Sequence, residues 1–472
     1  MIFRQFFLES LGHASYVIGD EGTGRALVFD PQRDVSGYFD FLRDRGLRIT
    51  HAMDSHGHND YLSGLTELAV RADVELLGFD GDPDYKLGYP HTPVRDGDVI
   101  ELGSVTIEVL HTPGHTPEHA SLIVRDEAAG DPPALLLSGG ALLVGDLARP
   151  DLLGGPEEAR KMARVYCHTI QERILFQLPE DLEVFPTHVS GSLCGGNIGS
   201  RLSTTVGYER KTNAILSRVS SSKGFVDECL RTDNLPAVPP YWRRMRKQNV
   251  AGVPALGVLR EPPALKPGDF AAEIEAGAVV VDARAPEAYA GGHIPDALNV
   301  GLGPAFSTWV GTVVPENGRK LLVLESPDQL WDAAWQLLRT GYDVPVGWLA
   351  GGMQAWRTTN RPVQTLAQVS AVRLRELLDA GKVGLLDVRQ PAEWIDGHVP
   401  GAHFITGAEL PDRVGEIEGG RTLAVMCGSG YRSSVAASFI KKQRPEVDVL
   451  NVVGGMSAWR AARLPVEGEA GG

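Results

Sequence analysis

Cysteine is scarce in this chain: Cys167, Cys194, Cys229 and Cys427 are the four among 472 residues. Their spacing matches neither a zinc knuckle nor a disulfide framework, so the fold must rest on packing, and so few thiols suit a reducing compartment. Basic charge is also short. Lys and Arg number 45 against 60 Asp and Glu, a formal net charge of -15, which excludes nucleic acid as the main partner because a phosphate backbone needs a basic surface. Long apolar runs are missing as well. The opening MIFRQFFLESLGH is too short for a signal peptide, and Glu9 interrupts it. The most apolar region, Ala134–Gly145, is broken by Ser138 and Gly139 and falls well below the ~20 apolar residues of a membrane span. A cytoplasmic protein with no membrane partner is expected.

At roughly 100–200 residues per domain, the length predicts two to four domains. Residues 1–250 alternate strand-like and helix-like stretches. Ser15–Ile18 and Ala26–Phe29 read as buried strands, and Val99–Leu110 with His119–Val124 as a strand pair. Ala134–Val144 reads as two strands split by Gly139-Gly140, and Glu157–Leu178 as one long helix. Proline-rich stretches, Leu235–Pro240 and Pro254–Pro267, mark a linker. Beyond it the chain repeats itself. Val280–Arg284 matches Leu385–Arg389, and Gly292–Pro295 matches Gly397–Pro400, both at an offset of 105 residues. Gly351–Trp356 then matches Gly454–Trp459 at an offset of 103. The repeat is long enough to be a domain, so residues 262–362 and 366–468 are two copies of one small α/β domain.

The chemistry of the first domain concentrates in Asp54-Ser55-His56-Gly57-His58-Asn59-Asp60-Tyr61, directly after an apolar strand. On an extended segment His56, His58 and Asp60 point the same way. Imidazoles and a carboxylate converging on one spot are metal ligands by type. His115 in TPGHTP, Asp146 in VGD and His188 in PTH also follow predicted strands. Any one of them alone reads as a polar capping residue; together they argue for a site. H-x-H-x-D, TPGHT, GD and the late TH together resemble the metallo-β-lactamase-like fold over residues 1–250. The overall expectation is an α/β protein, an αββα sandwich followed by the two small domains. SYVI, TPGHTPEH, GDLARPDL and PTHVSGS resemble its persulfide dioxygenase branch. That resemblance implies one Fe(II) per chain on His56, His115 and Asp146, with zinc as a substitute, and positions left open for substrate and oxygen. His58, Asp60 and His188 then orient ligands or substrate. One position departs from the superfamily pattern: it ends in D-H, whereas this chain has Asp60-Tyr61. The missing histidine would serve a second metal, so Tyr61 weakens the rival reading, a two-metal thioester hydrolase of the glyoxalase II type. Cys194, close behind His188, is either a sulfur-exchanging thiol or a small buried hydrophobe. His119 reads as a structural histidine on a strand face. The basic run Tyr241–Lys247 reads as a solvated face at a domain junction, or as the mouth for an anionic thiol.

In the last domain an apolar strand ends at Cys427 and runs through Gly428, Ser429, Gly430, Tyr431 and Arg432 to Ser433, where an amphipathic helix begins. Backbone N–H groups and a helix N-terminus converge there on the sulfur, and Arg432 adds a charge that suits an oxyanion. LLDVR, EWIDGHVPGA, C-x-x-G-x-R-S and GGMSAW together resemble rhodanese sulfurtransferases, with a central parallel sheet. By that resemblance Cys427 carries a sulfane sulfur, and Arg432 with the loop N–H groups binds the donor. Asp387 and Arg389 read as supports of the fold. Aligning Lys320–Leu324 with Thr422–Met426 puts Glu325 where Cys427 stands, so the first copy is expected to be inactive. The expected partners are a low-molecular-weight thiol persulfide, oxygen, and sulfite or thiosulfate, handled by a homo-oligomer. A sulfur-binding scaffold with no catalysis is the alternative outside the enzymes.

Overall fold

The computed structural model describes residues 1–468 except 83, 131 and 232–234. The chain divides into two units, one of Met1–Leu235 with Trp242–Gly257, the other of Pro236–Tyr241 with Val258 onward.

The first unit holds two six-stranded sheets. One runs in sequence order: β1 (Ile2–Leu8), β2 (His13–Asp20), β3 (Arg25–Phe29), β4 (Arg48–Met53), β5 (Glu75–Phe79) and β6 (Thr92–Val94). The other comprises β7 (Val99–Glu101), β8 (Val105–His111), β9 (Ala120–Asp126), β10 (Leu135–Gly139), β11 (Glu183–Pro186) and β12 (Thr204–Thr205), also neighbours in sequence order. Alternation along the strands sets the layers. Ala14, Tyr16 and Ile18 of β2 join Ile107, Val109, Leu122 and Leu137 between the sheets. Val17 points outward, to Tyr38, Leu42, Leu65 and Leu68 on helices Ser36–Arg43 and Leu65–Arg71. Helices Pro156–Thr169 and Ser222–Cys229 cover the far face of the second sheet. Helix, sheet, sheet, helix is the αββα sandwich expected.

Two local expectations are corrected. Ala141–Val144 is a turn and not a strand, because Gly139 takes a left-handed φ of 56° and Ala141 N–H closes back on the Ser138 carbonyl. The long helix ends its regular part at Thr169; beyond it a wider turn forms, in which Phe176 N–H reaches the Gln171 carbonyl five residues back.

The second unit contains two five-stranded parallel sheets built alike. The first takes the order β13 (Ala264–Leu265), β17 (Gly347–Leu349), β16 (Lys320–Val323), β14 (Val279–Asp282), β15 (Leu298–Asn299). The second takes β18 (Ala367–Val369), β22 (Val449–Val452), β21 (Thr422–Met426), β19 (Val383–Asp387), β20 (His403–Phe404). Each copy anchors an inner strand, β14 or β19, with the same buried pair: Arg284 on Asp282 and the Gly292 carbonyl, Arg389 on Asp387 and the Gly397 carbonyl. The doubling read from sequence is therefore a doubling of topology. No helix among the described residues is long and apolar enough to cross a membrane.

Candidate metal centre and sulfur-transfer loop

The metal centre lies where strands of both sheets end. After β4 the chain carries His56 and His58; His115 follows β8, and His188 follows β11. All four are buried. The rings of His56 and His58 lie 4.3 Å apart, those of His56 and His115 4.7 Å, and His188 stands 5.4 Å from both His56 and His115. Donor atoms of His56, His58 and His188 fall within 4.8 Å of one another, as do those of His115, His188 and Cys194.

Each ring is held at one nitrogen and open at the other. His56 Nδ1 meets Ser55 Oγ at 2.8 Å, His58 Nε2 meets Asp30 Oδ1 at 2.9 Å, and His115 Nδ1 meets the Arg149 carbonyl at 2.7 Å. His188 Nδ1 faces Ser192 Oγ at 3.4 Å and the Asp60 carboxylate at 3.6 Å. The remaining nitrogens, His56 Nε2, His58 Nδ1, His115 Nε2 and His188 Nε2, are buried with no hydrogen-bond partner. A carbonyl or carboxylate acceptor fixes the proton of His115 and His58 on the held nitrogen in the neutral ring, leaving a lone pair on the other. A buried polar atom left unpaired costs about 1–3 kcal/mol. Unpaired donors gathered into two sets that share His188 are explained by a metal ion, and three-donor sets of this chemistry fit one. Burial pushes His56 and His188 well below the usual histidine range and His115 down to about 4, keeping them neutral. His58 differs. Burial would lower it, but the Asp30 carboxylate overrides burial and lifts it to about 9.

The other sequence-predicted residues take varied places. Asp146 is buried but belongs to neither group of donors; its oxygens accept from Leu147 N–H at 2.9 Å and Asn197 N–H at 2.7 Å. Asp60 is buried against His188, and burial lifts its carboxyl to about 6. Tyr61 lays its ring against His13 and His58 and gives its hydroxyl to the Asp30 carbonyl at 3.4 Å. Cys194 is buried beside His115 and His188, and burial pushes its thiol well above the ordinary value. His119 is fully engaged, Nδ1 with Thr112 Oγ1 and Nε2 accepting from Gly140 N–H. A Cβ on Gly139 would come within 2.5 Å of His119 Nε2, so glycine is required there.

Two supports escaped the sequence. Asp30, at the end of β3, takes a left-handed φ of 52°, which a non-glycine residue adopts only when its surroundings hold it. Its carboxylate accepts from Ser55 N–H at 2.6 Å, from His58 and from the Thr187 hydroxyl. It thus ties the histidine loop to the segment bearing His188. The second support is the helix Trp242–Ala251, whose first part is the basic run Tyr241–Lys247 expected to be a solvated face or a mouth for an anionic thiol. Arg243 and Lys247 are exposed, but Arg246 makes a two-pronged pair with Glu118 and donates to the Gly57 carbonyl at 3.0 Å. Asn249 donates to the carbonyls of His58 and Tyr61 and accepts from Ser63 N–H. Asn249→Ala removes all three bonds from one loop. About 1–3 kcal/mol of stability should be lost, and metal affinity should fall roughly tenfold because the ligand loop loosens. Chelator competition against the wild type measures the second effect.

In the second unit, β21 delivers Cys427 to the start of the helix Tyr431–Gln443. The sulfur is buried; Gly430 N–H points at it from 3.1 Å, and Ser433 Oγ lies 3.5 Å away. The backbone behind it is clamped by Met456 N–H on the Cys427 carbonyl and Ser457 N–H on the Gly428 carbonyl. A Cβ on Gly455 would stand 2.2 Å from the Cys427 carbonyl oxygen, so glycine permits that approach. Ser429 is exposed at the loop tip, and the Tyr431 hydroxyl donates to Gly301 of the first copy at 2.8 Å. Arg432 pairs with Glu393.

The equivalence drawn for the first copy is corrected by strand register. Asp282 pairs with Val323, as Asp387 pairs with Met426. Leu324, not Glu325, therefore stands where Cys427 does. The glycine after β17 agrees, since a Cβ on Gly352 would face the Leu324 carbonyl as one on Gly455 faces that of Cys427. Leu324 is buried, and Ser326 caps a short helical turn in place of the loop. The first copy has no nucleophile at this position.

Comparison with known proteins fits this geometry. The Metallo-beta-lactamase superfamily matches residues 9–129, and the Rhodanese-like domain matches residues 266–359 and 370–462. The crystal structure of a metallo-beta-lactamase from Staphylococcus aureus subsp. aureus COL is 30% identical, with a TM-score of 0.66, and the match covers 74% of this chain and 98% of that one. The mitochondrial persulfide dioxygenase ETHE1 of Homo sapiens is 26% identical over 192 residues, 40% of this chain and 68% of its own. A hydroxyacylglutathione hydrolase of Methylococcus capsulatus is 30% identical over 115 residues, 24% of this chain and 44% of its own. The chain belongs to the metallo-β-lactamase superfamily and carries two rhodanese-like domains in tandem behind that domain.

Proposed function

We propose that the first unit is a mononuclear non-haem iron persulfide dioxygenase and that Cys427 of the last domain is a sulfane-sulfur carrier. The observation that carries the reading is the set of four buried histidines, each with one nitrogen that has no hydrogen-bond partner, whose donors gather as His56, His58 and His188 and as His115, His188 and Cys194. His56 and His115 are proposed donors, as the sequence suggested, with Asp146 as the carboxylate. His58 joins them, since its open Nδ1 and its Asp30-held Nε2 match a ligand oriented by a carboxylate. Similarity to a persulfide dioxygenase favours Fe(II) over zinc. Iron bound there would supply the redox chemistry that lets dioxygen react with a closed-shell sulfur. The chain's own part is to keep His56, His115 and His188 neutral by burial and to exclude bulk water; His58, raised to about 9 by Asp30, would release its Nδ1 proton when the metal binds and keep the Nε2 proton hydrogen-bonded to Asp30.

The overall change balances as one persulfide R-S-SH, one dioxygen and one water giving one thiol R-SH, one sulfite and two protons. Cys427 would then move sulfane sulfur between persulfide and thiosulfate, within a pathway of sulfide and persulfide detoxification. The test is oxygen uptake by the Fe(II)-loaded chain on adding glutathione or coenzyme A persulfide. Rapid uptake with sulfite as product, abolished together with iron binding in His115→Ala, is the expected result. No uptake at full iron occupancy, with turnover of a glutathione thioester by the zinc form, would transfer the reading to the hydrolases that the chain also resembles.

A further inference from the structure

Arg432 is the one charged side chain between Cys427 and Ser434, and it is not free to meet a substrate. Its Nη1 donates to Glu393 Oε2 at 2.5 Å and its Nη2 to Glu393 Oε1 at 2.8 Å. The pair lies against the loop itself: a Cβ on Gly428 would come within 2.9 Å of Arg432 Nη2 and 3.5 Å of Glu393 Oε1. Burial would raise the Glu393 carboxyl, but Arg432 outweighs burial and holds it below the usual range, so it stays ionised. The cradle therefore offers an incoming anion a neutralised cation with a carboxylate beside it.

The fold does not need this pair. At the 105-residue offset that matches Asp282 to Asp387 and His293 to His398, Glu393 corresponds to Ala288. At the 103-residue offset fixed by β16 and β21, Arg432 corresponds to Gln329. The first copy forms the equivalent helix, Pro286–Ala290, and the same sheet order without either member. The copy that lacks the cysteine lacks both halves of the pair, which links the pair to the chemistry of the loop.

We propose that Glu393 is a specificity residue: by holding Arg432 it weakens thiosulfate and sulfite at the cradle and biases Cys427 toward organic persulfide donors. The inference rests on the reading of Cys427 as a sulfur carrier. With a persulfide, the Cys427 thiolate attacks the outer sulfur of R-S-SH, a sulfur–sulfur bond forms as the old one breaks, and R-S⁻ leaves with the bonding pair. With thiosulfate the same attack on the sulfane sulfur expels sulfite with the pair. The two reactions differ in the charge that approaches: thiosulfate is a dianion at the reacting end, while the outer sulfur of the organic donor carries at most one negative charge. A guanidinium already engaged by a carboxylate gives the dianion little.

The experiment is single-turnover loading of Cys427 in the full chain without oxygen, from thiosulfate or from glutathione persulfide, read as the gain of one sulfur by mass spectrometry of the Cys427 peptide. Glu393→Gln should raise the thiosulfate-to-persulfide rate ratio about tenfold by freeing a charge-assisted donor. Glu393→Ala, the residue that the first copy carries, should do the same and guards against a folding defect in one variant. Adding Arg432→Gln to either should cancel the gain. A ratio that stays unchanged or falls in both Glu393 variants, or a gain that survives Arg432→Gln, overturns the inference while leaving the carrier reading intact. A wild-type chain that loads from neither donor overturns the carrier reading, and this inference with it.

Discussion

Asp30→Ala should cost the metal-free protein about 3–5 kcal/mol and lower its metal affinity roughly 10- to 100-fold, although Asp30 itself is not a proposed ligand. The carboxylate is wholly buried and answers three donors: Ser55 N–H, His58 Nε2 and the Thr187 hydroxyl. Alanine leaves all three unpaired and strips the counter-charge from a histidine held at about 9. That pKa gives the loss a pH signature. A histidine raised in the folded state stabilises the fold fully below its unfolded value near 6.5, and the stabilisation disappears as pH rises through about 9. The gap between wild type and Asp30→Ala should therefore be wide at pH 6.5 and narrower above 9. Urea midpoints on the chelated protein measure it. Asp30→Asn should recover part of the stability, because an amide oxygen in the place of Oδ1 still accepts from Ser55 N–H and His58 Nε2, but not the charge term. A variant that kept both its midpoint and one tightly held metal per chain would show that Asp30 is incidental to the centre.

That Asp30 went unseen shows what the sequence can carry. His56, His58 and Asp60 announce themselves because alternation on a strand extension puts like chemistry on one side within a few residues. Asp30 is a single carboxylate in LVFDP, and its role appears only when β3 and β4 pair in parallel and bring it to His58, 28 residues away. The helix Trp242–Ala251 is a stronger case. Arg246 and Asn249 act on a loop nearly two hundred residues upstream. Composition shows a basic run there, and nothing local reveals the buried Glu118 that balances Arg246.

The tandem copies teach a related lesson. The offset between them is 105 at Asp282 and 103 at Gly351, so two residues are lost in between. Where they are lost cannot be read from two apolar strands that match equally well one step apart. Hydrogen-bond register decides it, and moves the position of Cys427 from Glu325 to Leu324. The αββα layers were legible through the resemblance carried by the histidine motifs, and the doubled small α/β domain through the 105-residue repeat. Asp146 was read as following a strand that does not form, since β10 ends at Gly139 and the chain turns before Asp146, and its capture by Leu147 and by Asn197, 51 residues on, is not written in the local pattern.

Cys427→Ser should abolish sulfane-sulfur transfer while leaving persulfide oxidation in place. A serine oxygen accepts the Gly430 N–H that now points at the sulfur, so the loop should keep its shape and the unfolding midpoint should barely move. The hydroxyl is not ionised near neutral pH and forms no stable S–O carrier with a sulfane sulfur, so loading from any donor should fall to background. Cys167, Cys194 and Cys229 cannot substitute, since each is buried in the other unit and burial raises its thiol pKa. The product distribution is the informative readout. With excess persulfide and oxygen, the iron-loaded wild type should yield thiosulfate if, as proposed, Cys427 hands sulfur to sulfite made by the first unit. The variant should consume oxygen at the same rate and accumulate sulfite instead. Thiosulfate from the Cys427→Ser chain at the wild-type rate would mean that the two activities share a polypeptide without sharing a reaction. Mixing it with His115→Ala chains sharpens the test. Free sulfite would let the mixture approach the wild type, whereas a local hand-over would leave it behind at low protein concentration, where fusion provides the effective concentration that mixing lacks.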